Sequence, residues 1–77
     1  MHIHHYKEVE TDNYVAAFNT WGKNLRNGLI HDIRNWCIQA YGPTSNNDDA
    51  RWKDDIIWGE VRFRDEADLV AFLLRWS

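Results

Sequence analysis

The stretch on which the predicted fold depends is NYVAAFNTWGKNLRNGLIHDIRNWCIQAYG, residues 13–42. Its apolar residues recur at steps of three or four, the spacing that places side chains on one side of an α-helix. They are Tyr14, Phe18, Trp21, Leu25, Leu29, Ile33, Trp36 and Ala40. Asp12 or Asn13 can cap the start of such a helix, and Gly42 followed by Pro43 can end it. The stretch therefore predicts one long amphipathic helix.

A turn-type dipeptide, Asn27-Gly28, interrupts this run. The stretch is therefore either one helix or two helices that break near Gly28. Because the apolar spacing keeps its phase across Gly28, we favour a single helix, bent at this point.

The segments on either side of the long helix predict strands. Residues 2–10 alternate so that Ile3 and Val9 share one face. Residues 42–50 have the composition of a loop. Residues 51–53 and 56–64 predict two further strands joined by a tight turn at Asp54-Asp55. In the longer strand Ile57, Val61 and Phe63 point inward with Gly59 in the same register, and the outward residues are Trp58, Glu60, Arg62 and Arg64.

The last predicted element is a helix over Glu66 to Trp76, which follows Asp65. Asp65 and Asp68 resemble a capping box, and acidic residues suit the positive start of a helix. Apolar residues surround this helix almost completely. A helix of that kind needs burial on more than one side, which indicates a central position or a contact with a dimer mate or another partner.

These elements predict an α+β fold in the order β-α-β-β-α. The simplest assembly is a three-stranded, mainly antiparallel sheet with the long helix and the short C-terminal helix on one face. The other face of the sheet would be open. A chain of 77 residues makes a single domain over residues 1–77 and buries only ~60% of its unfolded surface. Five tryptophans exceed the need of so small a core, so one or two are expected on a binding surface.

Composition narrows the class of protein. The net charge of -3 argues against a general binder of phosphate backbones. The single cysteine, Cys37, excludes an internal disulfide and fits a reducing compartment. No run is long enough to span a membrane, and no signal-peptide pattern is present. We therefore expect a cytoplasmic protein with no membrane partner.

Catalytic and metal-binding patterns are weak. Cys37 has no base within reach on its helix, since His31 lies far around it, so a buried thiol is the better interpretation. His2 and His4 share a strand face and could bind a metal if a third ligand arrived, but solvated histidines explain them more simply. No phosphate-binding loop or Ser/His/Asp constellation is visible. We predict no enzyme activity, no cofactor and no metal site.

Arginine and tryptophan residues mark the predicted binding surface. One flank of the long helix carries basic residues within an ~80° arc, and the open sheet face adds more. The predicted partner-binding residues are Lys23, Arg26, Ile30, Arg34, Trp58, Arg62, Arg64 and Trp76. Such residues serve as hot spots at protein interfaces or stack on single-stranded nucleic acid. The acidic charge favours protein, while a merely solvated surface is the third interpretation.

The second half of the chain carries a recognisable pattern. It consists of Trp36-Cys37, Tyr41-Gly42, the run from Phe63 to Asp68 and, near the end of the sequence, Phe72, Leu74, Arg75 and Trp76. This pattern resembles small accessory proteins of tailed phages, especially those of marine cyanobacteria. The resemblance implies a role in host takeover or anti-defence through protein binding, with anti-CRISPR inhibition as one form. It assigns no functional residue.

The leading hypothesis is thus a non-enzymatic interaction module that binds a host or defence protein or forms a homodimer. The alternative is a small nucleic-acid-binding protein that uses Trp58, Arg62 and Arg64.

Overall fold

A computed structural model describes residues 2–18, 27–47 and 49–77. The elements are β1 (Ile3–Lys7), β2 (Tyr14–Phe18), α1 (Asn27–Tyr41), β3 (Trp52–Asp55), a 3₁₀ turn (Ile56–Trp58), β4 (Glu60–Phe63) and α2 (Glu66–Trp76). The predicted α+β class is confirmed. The order β-β-α-β-β-α contains one strand more than the prediction.

The strands form an antiparallel sheet, which has four strands within the described residues, in the order β1-β2-β4-β3. The prediction of a three-stranded sheet is wrong because it lacked β2. That strand lies in the middle, with Val15 opposite both Tyr6 of β1 and Arg62 of β4.

The predicted long helix over residues 13–42 is wrong in its first part, which is strand β2. Tyr14 and Phe18 are four residues apart, and this spacing places two side chains on the same face of a strand as well as of a helix. The adjacent Val15 and Ala16 are both fully buried, because a central strand can be covered on both faces. The apolar spacing alone could not separate the two structures.

Helix α1 is described from Asn27 and contains Gly28; the residues that precede the predicted bend lie outside the described ranges. Its predicted end is confirmed. Gly42 has a φ of 87°, and its N–H donates to the carbonyl of Ile38 at 2.8 Å, the left-handed conformation that glycine adopts most easily. Residues 19–26, which include the predicted binding residues Lys23 and Arg26, lie outside the described ranges.

Asp12 and Asn13 do not cap a helix but complete the turn from β1 to β2. The N–H of Glu8 donates to the carbonyl of Asn13 at 2.8 Å, and the N–H of Asp12 donates to the carbonyl of Glu8 at 3.0 Å. Asp12 has a φ of 58°, a left-handed conformation that aspartate tolerates better than most residues. Strand β1 is accordingly shorter than predicted, ending at Lys7.

The turn between β3 and β4 lies later than predicted. Asp54 and Asp55 are paired within the sheet, opposite Val61 and Glu60, and the chain reverses through the 3₁₀ turn. Gly59 closes this turn with a φ of 81°. The shift buries the first turn residue, Ile56, and leaves Ile57 exposed, which corrects the prediction that Ile57 points inward. Val61 and Phe63 face the core as expected.

The two helices and one face of the sheet share a single core. Phe72 of α2 stands at its centre, with ring centroids 5.4 Å from Phe63, 6.1 Å from Trp36 and 6.3 Å from Phe18. Other buried members are Ile3, Ala16, Ile33, Cys37, Tyr41, Trp52, Ile56, Val61 and Leu69. No helix in the described part of the chain is both long enough and apolar enough to cross a bilayer.

Helix α2 has the predicted bounds, but the capping box does not form. Asp65 precedes the helix in extended backbone and makes no side-chain cap bond. Its carbonyl instead accepts from the N–H of Asp68 at 3.2 Å. The Asp68 carboxylate binds Arg51, which donates from Nε at 2.8 Å and from Nη2 at 3.1 Å. This ion pair ties the start of α2 to the start of β3.

Candidate interaction surfaces

Arg62 is the centre of a polar network on the face of the sheet away from the helices. It donates from Nη1 to Asp55 at 2.7 Å and from Nε to Glu8 at 3.0 Å, and its Nη2 lies 3.0 Å from a carboxylate oxygen of Glu60. Only 21% of its side chain is exposed. The hydrogen bond to Glu8, together with the charges of Glu60 and Glu8, raises the pKa of Arg62 above its ordinary value. This predicted partner-binding arginine is therefore engaged within the protein itself.

The same network explains why Val15 is buried on the outer face. Directly paired residues place their side chains on the same face, so Val15 lies between Tyr6 and Arg62. The Tyr6 hydroxyl donates to Glu60 at 3.0 Å. The face predicted to be open is thus covered by its own side chains, and its arginine is surrounded by carboxylates.

Of the predicted binding residues on the long helix, the structure describes Ile30 and Arg34. Arg34 donates from Nε to Asp54, which points from β3 toward the helices and also accepts from the N–H of Ile56 at 3.2 Å. Ile30 is half-buried against the core. Arg34 therefore holds α1 to the sheet, while Lys23 and Arg26 fall in the part of the chain that is not described.

Two large apolar side chains project from the turn between β3 and β4. Ile57 is 58% exposed and Trp58 is 66% exposed; we call this pair the hairpin tip. The buried Ile56 anchors its base, and the N–H of Phe18 donates to the carbonyl of Gly59 at 2.7 Å. Trp58 was predicted to point outward, and it does so from a turn rather than from the sheet. Ile57 was missed, although Gly59 signalled a turn at this point.

The second apolar surface is the side of α2 that faces away from the core. Ala67, Val70, Ala71 and Leu74 are exposed, and Leu74 reaches 83%; we call these four residues the outer stripe. The sequence predicted either burial of this helix on several sides or a contact with a partner. In the single chain, one side is buried and the outer stripe is not.

Trp76 and Arg64, the remaining predicted binding residues, lie on different elements. Trp76 is half-buried against Trp36 and Phe72, with the Arg75 guanidinium 4.1 Å from its ring. Its buried Nε1 has no acceptor among the described residues. Arg64 is exposed and donates to the carbonyl of Asp49 at 3.0 Å.

Cys37 and the two N-terminal histidines are the chemically reactive side chains that the sequence singled out. Cys37 is fully buried, and burial, followed by the charge of Asp54, raises the pKa of its thiol to about 12. The thiolate is the reactive form, so this cysteine is suited to packing. The His2 and His4 rings meet edge-on at 4.7 Å, and within the described ranges no three His, Cys, Asp or Glu side chains are placed to hold a metal.

A small polar pocket lies beside the turn from β1 to β2. Its lining comes from Glu10, Thr11, Asn13 and Lys53, and its volume is about 220 Å³. This is below the range of roughly 300–1,000 Å³ in which small molecules are usually bound. Among the described residues, the exposed apolar surfaces are therefore stronger candidates for a binding site than this pocket.

No protein-family model, curated protein or solved structure matches this chain. The hairpin tip and the outer stripe are therefore the features of this chain that point to a function.

Proposed function

We propose that this protein is a non-enzymatic interaction module that binds a partner protein through the hairpin tip. The observation that carries the proposal is the exposure of Trp58, 66% of which is accessible beside the exposed Ile57. Tryptophan is enriched among the residues that dominate binding energy at protein interfaces. Inserting its ring into an apolar pocket removes a large apolar area from water.

The construction of the turn supports this role. Ile56 is buried beneath the tip, Gly59 closes the turn, and the bond from Phe18 to Gly59 joins the turn to β2. A surface that is already held in place loses less conformational entropy on binding than a flexible loop does. The tip is thus suited to act as a rigid anchor.

The charges next to the tip support an apolar pocket as its binding site. Asp54 pairs with Arg34, and Asp55 pairs with Arg62 at 2.7 Å. A partner that covers the tip would therefore not need to bury an unpaired carboxylate, which is costly. The proposed partner offers an apolar pocket with a polar rim.

The class of partner is proposed from the resemblance to phage accessory proteins. On that basis we propose a host or defence protein, including a CRISPR effector, bound in the host cytoplasm. The pattern of the second half of the sequence supports this assignment.

The test places a photo-crosslinking amino acid at position 58 in cells of a cyanobacterial host. Val9 is also exposed, on the turn after β1, and carries the same group as the matched control. We expect a specific adduct from position 58 and none from position 9. With the purified partner, Trp58→Ala should weaken binding at least tenfold, which corresponds to about 1.4 kcal/mol, and Val9→Ala should not. Equal adducts from both positions, or full affinity of Trp58→Ala, would refute the proposal.

Binding of single-stranded nucleic acid is the second candidate, because Trp58 and Arg64 are both exposed. The ion pairs of Arg62 with Glu8, Asp55 and Glu60 count against it. Titrations of single-stranded RNA and DNA at two salt concentrations distinguish the candidates. A phosphate-dependent complex weakens steeply as salt rises, and no binding at low salt removes this alternative.

A further inference from the structure

We propose that two copies of this protein associate through the outer stripe of α2, with the two helices antiparallel. Its four residues follow the spacing i, i+3, i+4, i+7, which aligns them along one side of a helix. All are apolar and all are exposed. This surface is separate from the hairpin tip, so the inference does not depend on the proposed function.

The stripe is complementary to itself in an antiparallel pair. If the two-fold axis passes between residues 70 and 71, Leu74 of one copy lies opposite Ala67 of the other. The two Val70 side chains then meet near the axis, and Ala71 leaves room for the helices to approach. Each contact occurs twice, as a two-fold interface requires. A parallel pair would instead place Leu74 against Leu74 and leave a gap at Ala67.

Charge favours the same orientation. The first turn of α2 contains the exposed Glu66, and the last turn contains the exposed Arg75, while Asp68 is already paired with Arg51. An antiparallel pair brings the acidic start of each helix beside the basic end of the other, and it also opposes the two helix dipoles. A parallel pair would bring like charges together. A second copy of this chain is therefore the occupant that both shape and charge fit.

The expected association is weak. A pair of three-turn helices buries less than a standard interface of about 1,600 Å². We therefore expect a dimer that forms in the micromolar range or above and dissociates on dilution.

Sedimentation equilibrium of the purified full chain tests the proposal. Concentrations of about 1–500 µM should populate both monomer and dimer if the interface is small. We expect the mass to rise with concentration from 9.2 kDa toward twice that value. Val70→Lys and Leu74→Lys alter exposed positions and should lower the dimer affinity at least tenfold while the circular dichroism spectrum stays unchanged. Val9→Lys, at another exposed apolar position, is the matched control and should dimerise normally.

The orientation is tested by oxidation of a variant that carries both Ala67→Cys and Leu74→Cys. The native Cys37 is buried and should not compete. An intermolecular disulfide between positions 67 and 74 supports the antiparallel pair. A bond between the two 74 positions, a monomer at every concentration, or loss of the dimer in Trp58→Ala would overturn the assignment. Because Trp58→Ala should dimerise normally, failure of this inference is distinguishable from failure of the proposed function.

Discussion

Cys37 and Tyr41, on the core side of α1, show how burial changes the chemistry of single residues. Burial, followed by the charge of Asp54, raises the pKa of the Cys37 thiol to about 12. Burial, followed by the charge of Asp68, raises the pKa of the Tyr41 phenol to about 12. In an unfolded chain a thiol has a pKa of about 8.5. Both residues therefore favour the folded state only while they are protonated.

The alkaline stability of the protein should depend on Cys37. Its contribution is fully present below about pH 8.5 and is lost as the pH rises toward 12, because the unfolded chain releases the proton first. The loss of unfolding free energy between pH 8 and pH 10.5 should be smaller in Cys37→Ala than in the wild type. Urea unfolding at both pH values measures this loss, and equal losses would contradict the prediction. Tyr41 is unchanged in the variant and serves as an internal reference.

The Tyr41 hydroxyl should contribute about 1 kcal/mol to stability, the usual net value of a hydrogen bond. It donates to the carbonyl of Asp68 at 2.8 Å, while the ring packs on Phe63 at 5.4 Å. Tyr41→Phe keeps the ring and removes only the bond. Chemical denaturation should show the loss in Tyr41→Phe and none in Val9→Ala, whose side chain is 92% exposed.

At the scale of elements, the sequence predicted a segment well when that segment was long and had clear start, end or turn signals. Helix α2 was predicted with the correct bounds, because it has a clear start after Asp65 and a nearly continuous apolar composition. Strand β2 was predicted as helix because Tyr14 and Phe18 were the two of its residues used to judge the apolar spacing. A spacing of four fits both a helix and a strand. The turn at Ile56–Trp58 was missed because the aspartate pair before it offered a more conventional turn signal.

The outer face of the sheet should lose stability when Arg62 is changed. Arg62→Gln breaks its ion pairs with Glu8, Asp55 and Glu60, and we expect a cost of about 2 kcal/mol at pH 7 for this partly buried network. Arg62 lowers the pKa of Glu8 by its hydrogen bond. The stability contributed by Glu8 is present above the ordinary pKa and is lost as the pH falls through the lowered one.

The difference between wild type and Arg62→Gln should therefore shrink below about pH 4, where carboxylates become protonated. Arg62→Met is the matched control, since its long side chain still covers Val15 while lacking charge. If Arg62→Met is as stable as the wild type at pH 7, coverage of Val15 rather than ion pairing is the main contribution.

At the scale of the whole molecule, the candidate site was predicted only in part. Exposure of Trp58 followed from composition and pattern, whereas α2 was predicted to be buried on several sides or to contact a partner. The engagement of Arg34 and Arg62 was not predicted, because their partners lie on other elements. Glu8 and Arg62 are 54 positions apart in sequence and meet only once β2 has paired with β4. Ion pairs of this kind depend on which strands become neighbours in the sheet, and local sequence patterns do not predict that order.

The order of the strands also sets when this protein can acquire its structure during synthesis. Strands β1 and β2 leave the ribosome first, yet β2 pairs with β4, which follows α1 and β3 along the chain. Phe72, on which the aromatic cluster converges, is made later still. A nascent chain should therefore gain protection from protease in one late step, after α2 has emerged, rather than gradually. Ribosome-bound chains stalled after β2, after β4 and after α2 would show this, and early protection of the first set would contradict it. Until that step the β1–β2 hairpin exposes its apolar residues, so the growing chain is most prone to aggregation between the second strand and the last helix.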